Sequence, residues 1–177
     1  MHVLLCVEDD ADVRSRPSAH ERAAALAAAW RDGAPRCAVT SLVLPAAPRA
    51  GDEGPRGPGG SRGASAPGVF VPVTALGLTR VAEQVSAATA RLREQVADAD
   101  LAVAAVPVLD GDGLHGGVVA AVAGAAAELA VPVVVLAGRV AVTRREWSGA
   151  GVSGVHELGD DSTAVVRVAR TWAPSWA

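Results

Sequence analysis

This chain contains no lysine: every one of its 16 Lys+Arg positions is arginine. That excludes a Schiff-base lysine and a lysine that grips a nucleotide phosphate. Alanine, glycine, valine and arginine are all used heavily, a pattern of GC-rich coding, so the arginine bias is not in itself a phosphate signal. A basic field is also lacking. The formal net charge is -3 and the pI about 5.8, which argues against nucleic acid or an anionic membrane as an electrostatic partner. Cysteine is scarce. Cys6 and Cys37, at comparable places in two predicted neighbouring strands, read as buried thiols of a reducing compartment rather than a redox or metal pair, because no second ligand cluster accompanies either. Long apolar runs are few. The longest, Gly117–Gly138, contains Glu128 and is broken by Pro132, as a helix followed by a buried strand would be. Met1-His2 leads straight into a strand with no basic n-region or cleavage site, so no signal peptide is expected and the location expected is cytoplasmic.

What is present is an alternation of strands and helices. Val3–Val7 is a short apolar run ended by Glu8-Asp9-Asp10, as in a buried parallel strand. Ser18 with Glu21 three residues on forms a capping-box pattern. Ala23, Leu26, Ala27 and Trp30 then recur at helical spacing until Gly33 and Pro35. Further strands are predicted at Cys37–Leu44, Val69–Val73, Leu101–Val106, Val131–Leu136 and Val152–Glu157. Helices are predicted at Leu78–Ala97, Gly117–Ala130, Thr143–Ala150 and Asp161–Trp172. This order implies an α/β fold of three layers, a mostly parallel, Rossmann-like sheet of about five strands with helices on both faces. Residues 1–44 form its first part and 69–177 the remainder. Between them, Pro45–Gly68 is rich in Pro, Gly, Ser and Arg and poor in large apolar residues, the composition of a linker or loose loop. Ligands of parallel sheets sit beyond the carboxyl ends of the strands. The candidate loops are therefore Glu8–Arg16, Pro107–Gly117 and Gly138–Thr143.

The stretch Ala99–Gly117 (ADLAVAAVPVLDGDGLHGG) resembles the two-domain, non-P-loop glycerate kinase family, in which a strand reading ADLVITGEGR runs into a loop reading LDxQTxxGK and then a helix. Ala99-Asp100-Leu101, Leu109-Asp110 and His115-Gly116 keep that frame. Pro132–Gly138 with Gly149–Val152 is similar to the family's PVIALAG…EAGIDAVF. Leu4–Asp9 stands in the place of its VIAPDS, and Ser18–Trp30 resembles its SAxEAAxAIAxGW helix. Pro45–Gly54 is similar to a remnant of its PLADGGEG loop, keeping Asp52 and Gly54. The departures fall on charged residues. The family's GEGR is Ala105-Val106-Pro107-Val108 here, its GK lysine is Gly117, and its SFKG lysine has no counterpart in Asp10–Arg14. The resemblance implies a second domain that is missing from this chain.

By resemblance the reaction is ATP-dependent phosphorylation of glycerate, a small hydroxy acid, with ATP and magnesium ion as co-reactants. Asp110 and His115 are the candidate catalytic residues, with Asp112 and Asp9 or Asp10 as further acids. Asp110 is also the candidate metal ligand, although an acid in a Gly-rich loop equally suits a turn or helix cap. Gly116, Gly117 and Gly138 are candidate phosphate-binding positions, and Arg139 is the candidate stand-in for a lost lysine. With the lysines and GEGR charges gone, impaired catalysis is expected of the chain alone. The alternatives are half of a split kinase completed by a protein partner, or a non-catalytic module that binds a nucleotide or a protein. Trp172 and Trp176 at the carboxyl end suit a protein anchor, and packing of the last helix explains Trp172 equally well. Trp30 reads as core, and Trp147 is placed near the Gly138 loop. A receiver-domain reading of LLCVEDDADVR fails for want of a phosphoacceptor Asp ending the third strand and of any lysine.

Overall fold

The computed structural model describes residues 1–9, 17–45, 78–159, 161 and 163–173, with side chains of the 78–97 helix from residue 87 onward. The expected linker beyond Pro45 and the expected strand Val69–Val73 lie outside the described residues. Five strands form one sheet: β1 His2–Asp9, β2 Ala38–Pro45, β3 Leu101–Leu109, β4 Val133–Val140 and β5 Gly154–Glu157. They are hydrogen-bonded in the order β2-β1-β3-β4-β5, and every pairing is parallel. Six helices accompany them: α1 Ala19–Gly33, α2 Leu78–Ala97, α3 Gly111–His115, α4 Gly117–Ala127, α5 Arg144–Gly149 and α6 Ala164–Trp172. The α/β, three-layer expectation is met.

Alternation along the strands divides the core into two halves. Val3, Leu5 and Val7 of β1, Leu101 and Val103 of β3 and Leu136 of β4 pack with Trp30 of α1 and Val165 and Val168 of α6. Leu4 and Cys6, Ala102 and Ala104, and Val133 and Val135 face the other way, against Leu92 and Val96 of α2 and Val118, Val119 and Val122 of α4. Trp30 is fully buried, as its place on the helical stripe implied. Cys6 belongs to the α2/α4 half, whereas Cys37 packs on the α1/α6 half, so the sheet separates the two free thiols. Burial pushes the Cys6 thiol up to about 12.

The ends of several elements differ from the sequence pattern. β3 does not stop at Val106 but runs through Pro107 to Leu109. Its partner β1 ends the pairing at Ala105, and beyond that point β3 bonds only to β4. Pro107 therefore stands where one side of the strand asks for no ladder donor, a position a proline tolerates. β4 follows β3 outward, pairing Val108 with Arg139 and Leu109 with Val140. Gly138 and Arg139 thus lie within a strand and not in a loop after it.

Candidate functional site

The sheet order makes the gap between β1 and β3 the switch point, because the chain leaves β1 towards β2 on one side and returns to β3 on the other. Crevices for ligands form at such a point, outside the strand carboxyl ends. A cavity of about 250 Å³ lies there, on the α1 side. Val7, Leu26, Leu136 and Leu158 give it apolar walls, and Pro107 and Gly138 form part of its floor. A β-carbon on Gly138 would stand 2.7 Å from the Pro107 carbonyl oxygen, so the close approach of β4 to β3 requires glycine at this position.

Charge reaches the cavity from α1. The Arg22 guanidinium lines it, donating through Nη2 to the Glu8 carbonyl at 2.9 Å and through Nη1 to the Pro17 carbonyl at 3.1 Å. These bonds fix a cation at the carboxyl end of β1. Arg22 is only half-buried, and among the described residues it makes no ion pair. It was not among the residues singled out from the sequence, yet a signal existed. Arg22 lies three residues after Ala19 and four before Leu26, so it falls on the apolar stripe of α1 rather than on its solvated side.

The Glu8 side chain points to the opposite face. Gly117, the first residue of α4, has φ +59°, a left-handed conformation that glycine adopts without a β-carbon penalty. A β-carbon there would lie 3.1 Å from Glu8 Oε1. The N-cap of α4 is Gly116, which offers no side chain to the free N–H groups. A carboxylate from β1 is therefore already held beside the helix terminus, where a negative charge is stabilised.

The remaining predicted residues are spread around this edge. Asp110 is exposed and caps α3, its Oδ1 accepting from the Gly113 N–H at 2.8 Å. The cap reading of Asp110 is thus realised, and α3 occupies what the sequence presented as part of a loop. His115, also exposed, ends α3 and lies near enough to Glu146 to favour its charge. The larger causes that lower Glu146 are its bonds to Thr143 in the capping box of α5. Arg139 is exposed and is not part of the cavity wall. Trp147 packs against the α2/α4 half of the core, while Trp172 packs against the α1/α6 half and donates from Nε1 to His156 Nε2 at 2.8 Å. Trp176 lies outside the described residues.

No three acidic, histidine or cysteine side chains among the described residues converge to hold a metal ion. The donor set among the described residues does not fit a resident magnesium ion: Asp110 is engaged in a cap and belongs to no cluster of three such side chains. A magnesium ion arriving on nucleotide phosphates would bring most of its oxygen ligands with it.

A family model, described as the glycerate kinase family, matches residues 52–173, well over half of the chain. The chain belongs to the glycerate kinase family. Two uncharacterized proteins, one from Mycobacterium bovis and one from Mycobacterium tuberculosis, are each 44% identical to it over 59 residues. That stretch is 33% of this chain but 16% of either relative. The same 59 residues weigh half as much there, so these relatives are about twice as long and the chain covers less than two thirds of their length. Among the described residues of this glycerate kinase family member, no helix is long and apolar enough to cross a membrane.

Proposed function

We propose that this chain is a glycerate kinase-like domain that performs the family reaction, phosphoryl transfer from ATP to glycerate, weakly or not at all on its own. The observation that carries this reading is the arrangement of charge at the sheet's carboxyl edge. Phosphoryl transfer rests on positioning and on positive charge around the transferring group. Here the start of α4 faces the Glu8 carboxylate, and the chain has no lysine to offset it. Among the described residues, the cation in the cavity wall is Arg22, on the far side of β1 from that helix terminus. An incoming phosphate at Gly116-Gly117 would meet like charge.

A coupled assay with purified chain, glycerate, ATP and magnesium tests the proposal. The expected result is no turnover above background. Turnover in the usual kinase range of roughly 1–100 per second, lost on Asp110→Asn, would overturn it. A second reading is favoured by the doubled length of the relatives: the chain is one half of a split kinase, completed by a protein partner that supplies the other domain. Turnover that appears only when such a chain is added distinguishes that case.

A further inference from the structure

We propose that the cavity between α1 and the ends of β1, β3 and β4 is a binding site for a small aliphatic monocarboxylate, held at its charged end by Arg22. This does not depend on whether the chain transfers phosphate. Three observations carry it. First, Glu8 at the end of β1 and Arg22 of α1 direct their charges to opposite faces of the sheet. Glu8 turns its carboxylate to Gly117 of α4, while its backbone carbonyl accepts from Arg22, which lines the cavity. The cavity thus sets a cation, Arg22, on the face of β1 that the Glu8 carboxylate does not occupy.

Second, Arg22 is held but not used up. Its two bonds to the Pro17 and Glu8 carbonyls employ two of the five N–H donors of a guanidinium. Both acceptors are neutral, and among the described residues no ion pair matches the positive charge. A guanidinium so fixed has lost most of the freedom that binding a carboxylate would otherwise cost.

Third, the rest of the wall selects the body of the ligand. Among the described residues, the lining contains no serine, threonine, asparagine, glutamine or histidine. A hydroxyl carried into it would leave water without gaining a side-chain partner, which is unfavourable. Methyl and methylene groups would instead meet Val7, Leu26, Leu136 and Leu158. About 250 Å³, many times what a single water needs, is room for a branched acid of about four to six carbons. The cavity therefore favours an alkyl acid over glycerate, whose two hydroxyls it does not serve.

The test is an NMR titration of the full chain with 3-methylbutanoate, its neutral amide 3-methylbutanamide, and glycerate. Methyl shifts should fall on Val7, Leu26, Leu136 and Leu158. The acid should bind roughly 10- to 100-fold more tightly than the amide, the ratio expected of a charge-assisted pair, and more tightly than glycerate. Arg22→Gln should remove that preference, and Leu26→Phe, which fills the cavity, should abolish binding of both probes. Because Arg22 also ties α1 to β1, the comparison of acid with amide on the unaltered chain stands without any variant. Equal affinity for acid and amide, tighter binding of glycerate, or shifts centred on Gly116 and Gly117 would each overturn the assignment.

Discussion

At the scale of single residues, this site is governed by where small side chains permit close approach. Gly138 brings β4 against the Pro107 carbonyl and so shapes the cavity floor. Gly138→Ala would force a 2.7 Å contact with backbone that has no flexible end to move. We expect it to destabilise the fold by about 1–3 kcal/mol, the usual cost of overpacking, seen as a lower urea midpoint at unchanged slope. A midpoint equal to that of the parent chain would mean that β3 and β4 separate easily here. The residues that carry charge were only partly legible in the sequence. Asp110 could be read as a cap from its setting in Leu-Asp-Gly-Asp-Gly. Which face of the sheet each of Glu8 and Arg22 would meet could not, because the sides on which α1 and α4 pack are set by contacts distant in sequence.

Elements with their own termination signals were the readable ones. α1 has a complete capping box: the Glu21 N–H donates to Ser18 Oγ at 3.2 Å, and the Ser18 N–H donates to Glu21 Oε2 at 2.7 Å. The sequence pattern located its start correctly. Ser18→Ala should cost about 1 kcal/mol of stability through loss of the N-cap acceptor. It should also loosen the turn that presents Pro17 to Arg22, which amide exchange at the start of α1 would report. Unaltered exchange and stability together would mean that tertiary contacts alone hold this end. By contrast, α3 is unreadable locally. Gly111 and Gly113 oppose a helix, and the segment turns helical because Asp110 caps it and Leu114 is buried against the α2/α4 half of the core. β3 was cut short for a related reason. Pro107 signals the end of a strand in general, and only the withdrawal of β1 makes it acceptable here.

For the whole molecule, strand–helix alternation was sufficient to read the layered fold, whereas the cavity arises from four strand ends and a helix that are distant in sequence. The lack of lysine and tyrosine also shapes how the molecule responds to pH. On the acid side, burial lowers His156, whose Nε2 accepts from Trp172. A histidine depressed on folding stabilises the fold above its usual value of 6.5, and that contribution is lost as pH falls from there through the folded value. The lowered carboxylates follow at still lower pH. Asp161, held at about 2 by bonds from Thr163 and Arg167, loses its contribution between its usual 3.8 and that value. On the alkaline side the sign reverses. The Cys6 thiol is raised to about 12 from 9.0, so its contribution is intact below 9.0 and lost as pH rises towards 12, where only the unfolded chain releases the proton readily. With no lysine and no tyrosine in the sequence, cysteine thiols are the side chains left to change charge in that range, since arginine stays protonated. We therefore expect urea midpoints to form a plateau between about pH 7 and 9 and to fall on both sides. His156→Gln, which keeps an acceptor for Trp172, should flatten the first acid step, and Cys6→Ala should flatten the alkaline limb. An alkaline decline that survives Cys6→Ala undiminished would show that Cys6 does not govern it and that the buried thiol carries no such linkage.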